Sequence, residues 1–299
     1  MISFLKLIRY KNLLMVLLTL VLTKYALIDS FVEQSYLSSF QFIILAISIF
    51  CITAGGYIIN DIFDIEADKI NKPNKVFIDK TTTKNNARNT YSILTGFGII
   101  SGCYLAYTVD KPIYSLIFIA TSFVLYLYSS YLKRTVLVGN IIVSTFIGLS
   151  IITLFIFELI NFNKGFETLA LSLYIGTYVV FSFLTTLIRE IIKDIEDIDG
   201  DLKIKAKTLP IVFGRKRANK VAFSFSVLLL VLLIIILKSF LIEYPLFLGY
   251  SIIFIILPLG WFMYKLWGTE SKKEYSYLSK LMKLIMFFGI LSMLFFKLN

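Results

Sequence analysis

The sequence predicts an all-α, polytopic membrane protein with nine transmembrane helices, its N-terminus inside and its C-terminus outside. Three observations predict it. Apolar runs long enough to cross about 30 Å of hydrocarbon recur along the whole chain. The composition is 58% hydrophobic and 16% charged, with mean hydropathy +0.83, whereas soluble domains are about 45–50% apolar. Basic residues collect in alternate loops, which is the charge signature of a membrane-inserted chain.

In order, the predicted spans are Leu13–Ile28, Phe40–Phe63, Tyr91–Val109, Ile113–Tyr131, Val136–Leu159, Leu169–Ile188, Val221–Leu241, Leu246–Leu266 and Leu281–Phe296. The first runs on without a small-residue cleavage site, so it reads as a retained span and not a signal peptide. Lys24 near its far end reads as a snorkelling interfacial side chain. The second passes through Gly55-Gly56 and Ile58-Ile59 directly into an acidic run, and the sixth emerges at another. Only a few residues separate the fourth span from the fifth, which holds Lys133 and Arg134 close to the membrane surface. The third, seventh, eighth and ninth rest on apolar length alone.

With the N-terminus inside, the inner segments are the N-terminus, 64–90, 132–135, 189–220 and 267–280 with its flanks. They hold 25 of the 30 Lys and Arg, leaving Lys24, Lys111, Lys164, Lys238 and Lys297 outside. That bias sets the orientation and accounts for the net charge of +11 without a nucleic-acid partner. The expected location is the cytoplasmic membrane, with any site at the inner mouth opening to the cytoplasm. There are no Pro/Gly-rich linkers, so residues 1–299 read as a single transmembrane domain. Cys51 and Cys103 lie in apolar runs and read as buried thiols.

Two acidic runs carry the chemistry. The first is Asn60-Asp61-x-x-Asp64-x-x-x-Asp68 and the second Lys193-Asp194-x-x-Asp197-x-x-x-Asp201, each with three Asp at i, i+3 and i+7. That spacing is one face of a helix, and stacking like charges there is unfavourable. A chain that does so twice needs a cation to neutralise them. With oxygen-only ligands and no histidine, the cation is hard: Mg²⁺ holding phosphate oxygens, not zinc or haem iron. Asn60, one turn before Asp64, offers an amide oxygen as a neutral ligand. A solvated acidic helix end is the competing reading. Repeated spacing, position directly after a span and matching basic partners all weigh against it.

Each acidic run is followed by a basic, Pro-containing loop: Lys72-Pro73-Asn74-Lys75 after the first, Lys205-Ala206-Lys207-Thr208-Leu209-Pro210 after the second. The parallel suggests a weak internal repeat, which commonly places a site at the repeat interface. A further cluster, Tyr128-x-x-Tyr131-x-Lys133-Arg134 followed by Asn140, supplies cations for phosphate oxygens that metal does not cover. Its alternative is a positive-inside anchor with a tyrosine belt. Arg189 and Lys193 flank the second run and either pair with its Asp or reach a phosphate. No Gly-rich phosphate loop, Gly-x-Ser-x-Gly elbow or Cys-x-x-Cys pair is present. An Asp-lined transporter is disfavoured because the charges gather at one face, with no ionisable residues at mid-span. A CDP-alcohol phosphotransferase would carry Asp-Gly-x-x-Ala-Arg, which is missing.

These motifs resemble the UbiA superfamily of intramembrane prenyltransferases. Asn60, Asp61, Asp64 and Asp68 match its first motif, and Asp194, Asp197 and Asp201 its second. The resemblance implies a UbiA-like bundle. It implies two Mg²⁺, with Mn²⁺ a possible substitute, held by Asn60, Asp61, Asp64, Asp68, Asp194, Asp197 and Asp201. Asp64, Asp68, Asp194, Asp197 and Asp201 would be catalytic, and Lys133, Arg134, Lys193, Arg189, Lys72 and Lys75 would bind a prenyl diphosphate. Ionisation of its C–O bond gives an allylic cation for capture by a membrane-associated acceptor, among surrounding membrane lipids. Asp68-Lys69-Ile70-Asn71-Lys72-Pro73-Asn74-Lys75 and Arg189–Asp197 resemble the geranylgeranylglycerol-phosphate geranylgeranyltransferase branch. That branch implies a geranylgeranyl donor and a glycerol-phosphate lipid acceptor. An aromatic acceptor, as in quinone or haem-side-chain biosynthesis, would use the same core. The branch often has Arg where this chain has Lys72 and Lys75; Lys keeps the charge but loses the bidentate fork.

Overall fold

The structure is a computed structural model describing residues 2–32, 35–73, 76–78, 82–161, 166–239 and 245–297. Among these residues nine long helices follow in order: α1 (Tyr10–Ser30), α2 (Ser39–Asn71), α3 (Lys84–Thr108), α4 (Pro112–Ser130), α5 (Val138–Glu158), α6 (Phe166–Glu196), α7 (Arg215–Ser239), α8 (Pro245–Trp267) and α9 (Lys272–Phe296). Among the described residues all except α3 combine the length and hydropathy of a membrane span, giving eight candidates. At 25 residues α3 has the length, but Thr95, Gly96, Gly98, Ser101 and Gly102 dilute its apolar character.

Gly98 and Gly102 are there for packing. A Cβ on Gly98 would come within 3.0 Å of the Ser48 carbonyl oxygen of α2, and one on Gly102 would enter the Phe118 ring of α4. Ser48 Oγ also donates to the Gly98 carbonyl at 2.6 Å. Small-xxx-small faces of this kind let helix backbones approach closely inside a membrane.

The acidic runs lie on helices that continue beyond the predicted span ends. Ser38 opens α2 with a capping box to Gln41, and the helix continues for 33 residues through Asp61, Asp64 and Asp68. At about 1.5 Å per residue it is roughly 50 Å long and outreaches a bilayer core. The second run differs from the expected single helix face. α6 ends at Glu196, Asp197 forms a turn, and a short helix resumes over Ile198–Lys203. The amide bonds Asp197 N→Lys193 O (2.8 Å) and Asp201 N→Asp197 O (3.2 Å) carry the chain across the break. The short helix turns in against the end of α2, so close that a Cβ on Gly200 would lie 2.6 Å from the Ala67 carbonyl oxygen.

At the opposite end of the bundle, Lys24 corrects the snorkelling expectation. It sits on a π-helical turn of α1 (Thr23–Leu27), 2% exposed, and pairs with Glu158, which is 1% exposed. Lys24 Nζ also donates to Ser35 Oγ (2.9 Å) and the Leu37 carbonyl (3.0 Å), while Glu158 accepts from the Tyr36 and Leu37 amides. A buried charge needs this degree of satisfaction. The pair is embedded in the core of Leu20, Leu27, Leu45, Leu154 and Phe157. Lys164 and the far end of the expected Val221–Leu241 span lie outside the described residues.

Candidate active site

The two acidic runs come together because Asn71, at the last turn of α2, clips the second run in place. Its Nδ2 donates to the Asp197 carbonyl at 2.8 Å, and its Oδ1 accepts from the Gly200 amide at 2.9 Å. Lys72, one residue on, forms an ion pair with the Asp197 carboxylate. Burial works against the charge of Lys72, yet Asp197 and Asp68 together raise its pKa.

Basic side chains stand between the carboxylates. Lys133 pairs with Asp64 and reaches Asn60 Oδ1 at 3.2 Å, while Asn60 Nδ2 donates to Asp64 Oδ2 at 2.8 Å. Burial pulls the Lys133 ammonium below its ordinary pKa, with Asp64 opposing. Arg9 pairs with Asp61 at 2.5 Å and lies over the Tyr57 ring. Asn140 Nδ2 donates to Asp194 Oδ2 at 2.8 Å. Arg189 and Lys193 turn to Glu190, at 2.9 and 2.7 Å, and not to the aspartates. Arg134 donates to the Phe63 carbonyl at 3.4 Å and accepts from the Lys207 amide on its own carbonyl. Lys75 lies outside the described residues.

Among the described residues, then, no three carboxylates converge as a ready-made metal cage. The residues nonetheless fit a hard cation. The donor set is all oxygen. Asp197 Oδ1 is buried with no hydrogen-bond partner among the described residues. Asp201 has no ion-pair partner there, and burial, with Asp197 and Asp64 nearby, pushes its pKa up to about 7. A carboxylate held in that state is relieved by positive charge.

Next to this mouth, a cavity of about 280 Å³ opens among α1, α2, α4, α5, α6 and α9. Its polar end carries Arg9, Asn12, Tyr57, Asn60, Tyr128, Arg189, Glu190, Lys193 and Lys283; its deeper wall is Val16, Ile49, Ile52, Phe118, Ile147 and Ile290. Arg9, Asn12, Glu190 and Lys283 were not legible as site residues. Arg9 and Lys283 look like positive-inside anchors in sequence. The left-handed backbone of Arg9 (φ 52°) is a structural signal, since such conformations concentrate at functional sites.

A polar mouth with paired Asp runs above an apolar chamber suits a substrate with an anionic head and a greasy tail. Residues 13–291 match the sequence model of the UbiA prenyltransferase family. The chain belongs to the UbiA prenyltransferase family. It is 34% identical over 275 residues to the digeranylgeranylglyceryl phosphate synthase of Methanococcoides burtonii, covering 91% of this chain and 90% of that one. A solved structure of digeranylgeranylglyceryl phosphate synthase is 27% identical and superposes with a TM-score of 0.64 over 98% of this chain and 96% of that one. A UbiA homologue from Archaeoglobus fulgidus bound to GPP and Mg²⁺ shares the fold (TM-score 0.59, 14% identity, 97% and 99% covered).

This UbiA protein is an integral membrane prenyltransferase. Lys133, Lys72 and Arg9 each neutralise one carboxylate, Asp64, Asp197 and Asp61 in turn. Tyr57, Tyr128 and Phe118 line the chamber, where ring faces favour a passing cation.

Proposed function

We propose that this UbiA enzyme transfers a geranylgeranyl group from its diphosphate to the glycerol hydroxyl of geranylgeranylglyceryl phosphate. The observation that carries the reading is near full-length similarity to digeranylgeranylglyceryl phosphate synthase, joined to a cavity that is polar at one end and apolar at the other. Two divalent cations, Mg²⁺ or in its place Mn²⁺, would be held by Asp64, Asp68, Asp194, Asp197 and Asp201 with Asn60 and Asp61. When bound, they neutralise the diphosphate so that it can depart. Lys133, Arg134, Lys193 and Lys72, with Lys75, donate to diphosphate oxygens left uncovered, while Arg189, paired with Glu190 on the cavity wall, is left to the acceptor.

The C–O bond to the allylic carbon breaks, with its electron pair leaving on the diphosphate. The acceptor hydroxyl oxygen forms the new C–O bond and releases its proton at the mouth. Val16, Ile49, Ile52 and Ile147 bury the prenyl tail, at about 0.8 kcal/mol per CH₂, and keep water from quenching the cation. Placement in the cytoplasmic membrane, N-terminus inside and α3 as the ninth span, puts the aspartates at the cytoplasmic face. Single cysteines at Thr82 and Ser35 should label from opposite sides; labelling from the same side would overturn that orientation.

The deciding experiment incubates purified protein with Mg²⁺, labelled geranylgeranyl diphosphate and a panel of acceptors. Turnover of geranylgeranylglyceryl phosphate is expected. Turnover of hydroxybenzoate or dihydroxynaphthoate in its place would refute the acceptor while leaving the prenyltransferase intact.

A further inference from the structure

Lys283 is the cation in the central cavity that no carboxylate answers. It projects from α9, and its Nζ donates to Asn12 Oδ1 at 2.6 Å. Among the described residues it has no ion-pair partner, whereas Arg9 has Asp61 and both Arg189 and Lys193 have Glu190. The cavity wall thus sets Arg9, Arg189, Lys193 and Lys283 against two carboxylates, Asp61 and Glu190, leaving a surplus of two positive charges. Nothing apolar is stabilised by that surplus. A phosphate monoester, at about −1.5 to −2 near neutral pH, matches it.

We propose that Lys283 and Asn12, with Arg189 facing them, form the binding site for the phosphate of the acceptor, separate from the diphosphate site at the aspartates. The inference rests on a glycerol-phosphate acceptor and adds to that reading where its anion sits. Lys72 and Lys133 pair with Asp197 and Asp64 at the diphosphate site, and neither they nor Arg134 line the cavity. Asn60 lines it as well and bonds Asp64, so the cavity's polar end adjoins the diphosphate site. Such adjacency is what the acceptor requires: the reacting hydroxyl and the phosphate of a glycerol phosphate are on neighbouring carbons. Two anions that close together need separate cations, and the Lys283 corner supplies the second set. An Asn beside an ammonium completes it, because the amide can turn its NH₂ toward phosphate once Lys283 releases the amide oxygen.

The test is steady-state kinetics of Lys283→Met, which keeps most of the unbranched stem and removes the charge, alongside Lys283→Arg. The acceptors are geranylgeranylglyceryl phosphate and the same lipid lacking phosphate. Lys283→Met should raise KM for the phosphorylated acceptor roughly ten- to hundredfold, the scale of one charge-assisted hydrogen bond. KM for geranylgeranyl diphosphate should stay within about twofold, and the preference for the phosphorylated acceptor should collapse by a similar factor. Lys283→Arg should restore most of that preference. A rise in the diphosphate KM with an unchanged acceptor KM would overturn the assignment, as would equal shifts in both. Should Lys283→Met fail to fold, Asn12→Leu must show the same split in KM. A wild-type enzyme that ignores the phosphorylated lipid would sink the acceptor itself, and this site with it, before any variant is made.

Discussion

Replacing Asn71 by Ala should detach the second acidic run from the first. Asn71 is 8% exposed and makes two hydrogen bonds to the Asp197–Gly200 turn, at 2.8 and 2.9 Å. Losing the first removes about 0.5–1.5 kcal/mol of net stabilisation. Losing the second strands the buried Gly200 amide, at about 1–3 kcal/mol. Together these give roughly 2–4 kcal/mol, and the loss falls on the docking of Ile198–Lys203 against α2 more than on the bundle. At the lower end of that range the apparent metal affinity falls by as much as about thirtyfold. The assay is prenyl transfer as a function of Mg²⁺ concentration for wild type and Asn71→Ala, with thermal unfolding in detergent as the control. The expected result is a higher half-saturating Mg²⁺ with a small change in Tm. An unchanged metal dependence, with or without a drop in Tm, would refute the reasoning and reduce Asn71 to a packing residue.

The remaining predictions concern charge. Asp64→Ala and Asp197→Ala should each abolish transfer in a folded, membrane-inserted protein; near wild-type rates at matched expression would contradict the metal site. Because Lys133 is paired with Asp64, metal and prenyl diphosphate should bind with positive linkage. Half-saturating Mg²⁺ should fall as geranylgeranyl diphosphate is raised, and the effect should weaken in Lys133→Met; independent titrations would count against it. At the far end, Glu158→Leu leaves Lys24 buried and unpaired, a loss of about 3–5 kcal/mol. Adding Lys24→Met should recover much of this in urea unfolding, and a single variant as stable as wild type would show the pair to be incidental.

What could be read from sequence, and what could not, follows from how far apart the partners lie. The Asp runs were legible because each is local: carboxylates at helical spacing announce one face without any knowledge of the fold. The break at Asp197 was not, since it depends on Gly200 meeting Ala67 and Asn71 on another helix. Lys24 was misread for the same reason, its counter-charge being 134 residues away at Glu158. Arg9, Asn12 and Lys283 were hidden by type and distance alike. Lys283 and Asn12 are 271 residues apart, and two basic residues near membrane ends look like anchors. α3 shows the limit of hydropathy: Gly98 and Gly102, which let it pack on α2 and α4, are among the residues that lower its apolar character.

The Lys24–Glu158 pair and the packed leucines around it close the bundle at the end away from the aspartates. Among the described residues, the polar lining of the chamber lies at the aspartate end. On the proposed function, diphosphate released at that end would return to the aqueous compartment that delivered it, and a two-tailed product would pass sideways into surrounding lipid. With its headgroup held at that end, the product would join the leaflet on the aspartate side. On that reading the enzyme would add lipid to one leaflet, and movement to the other would fall to a separate process.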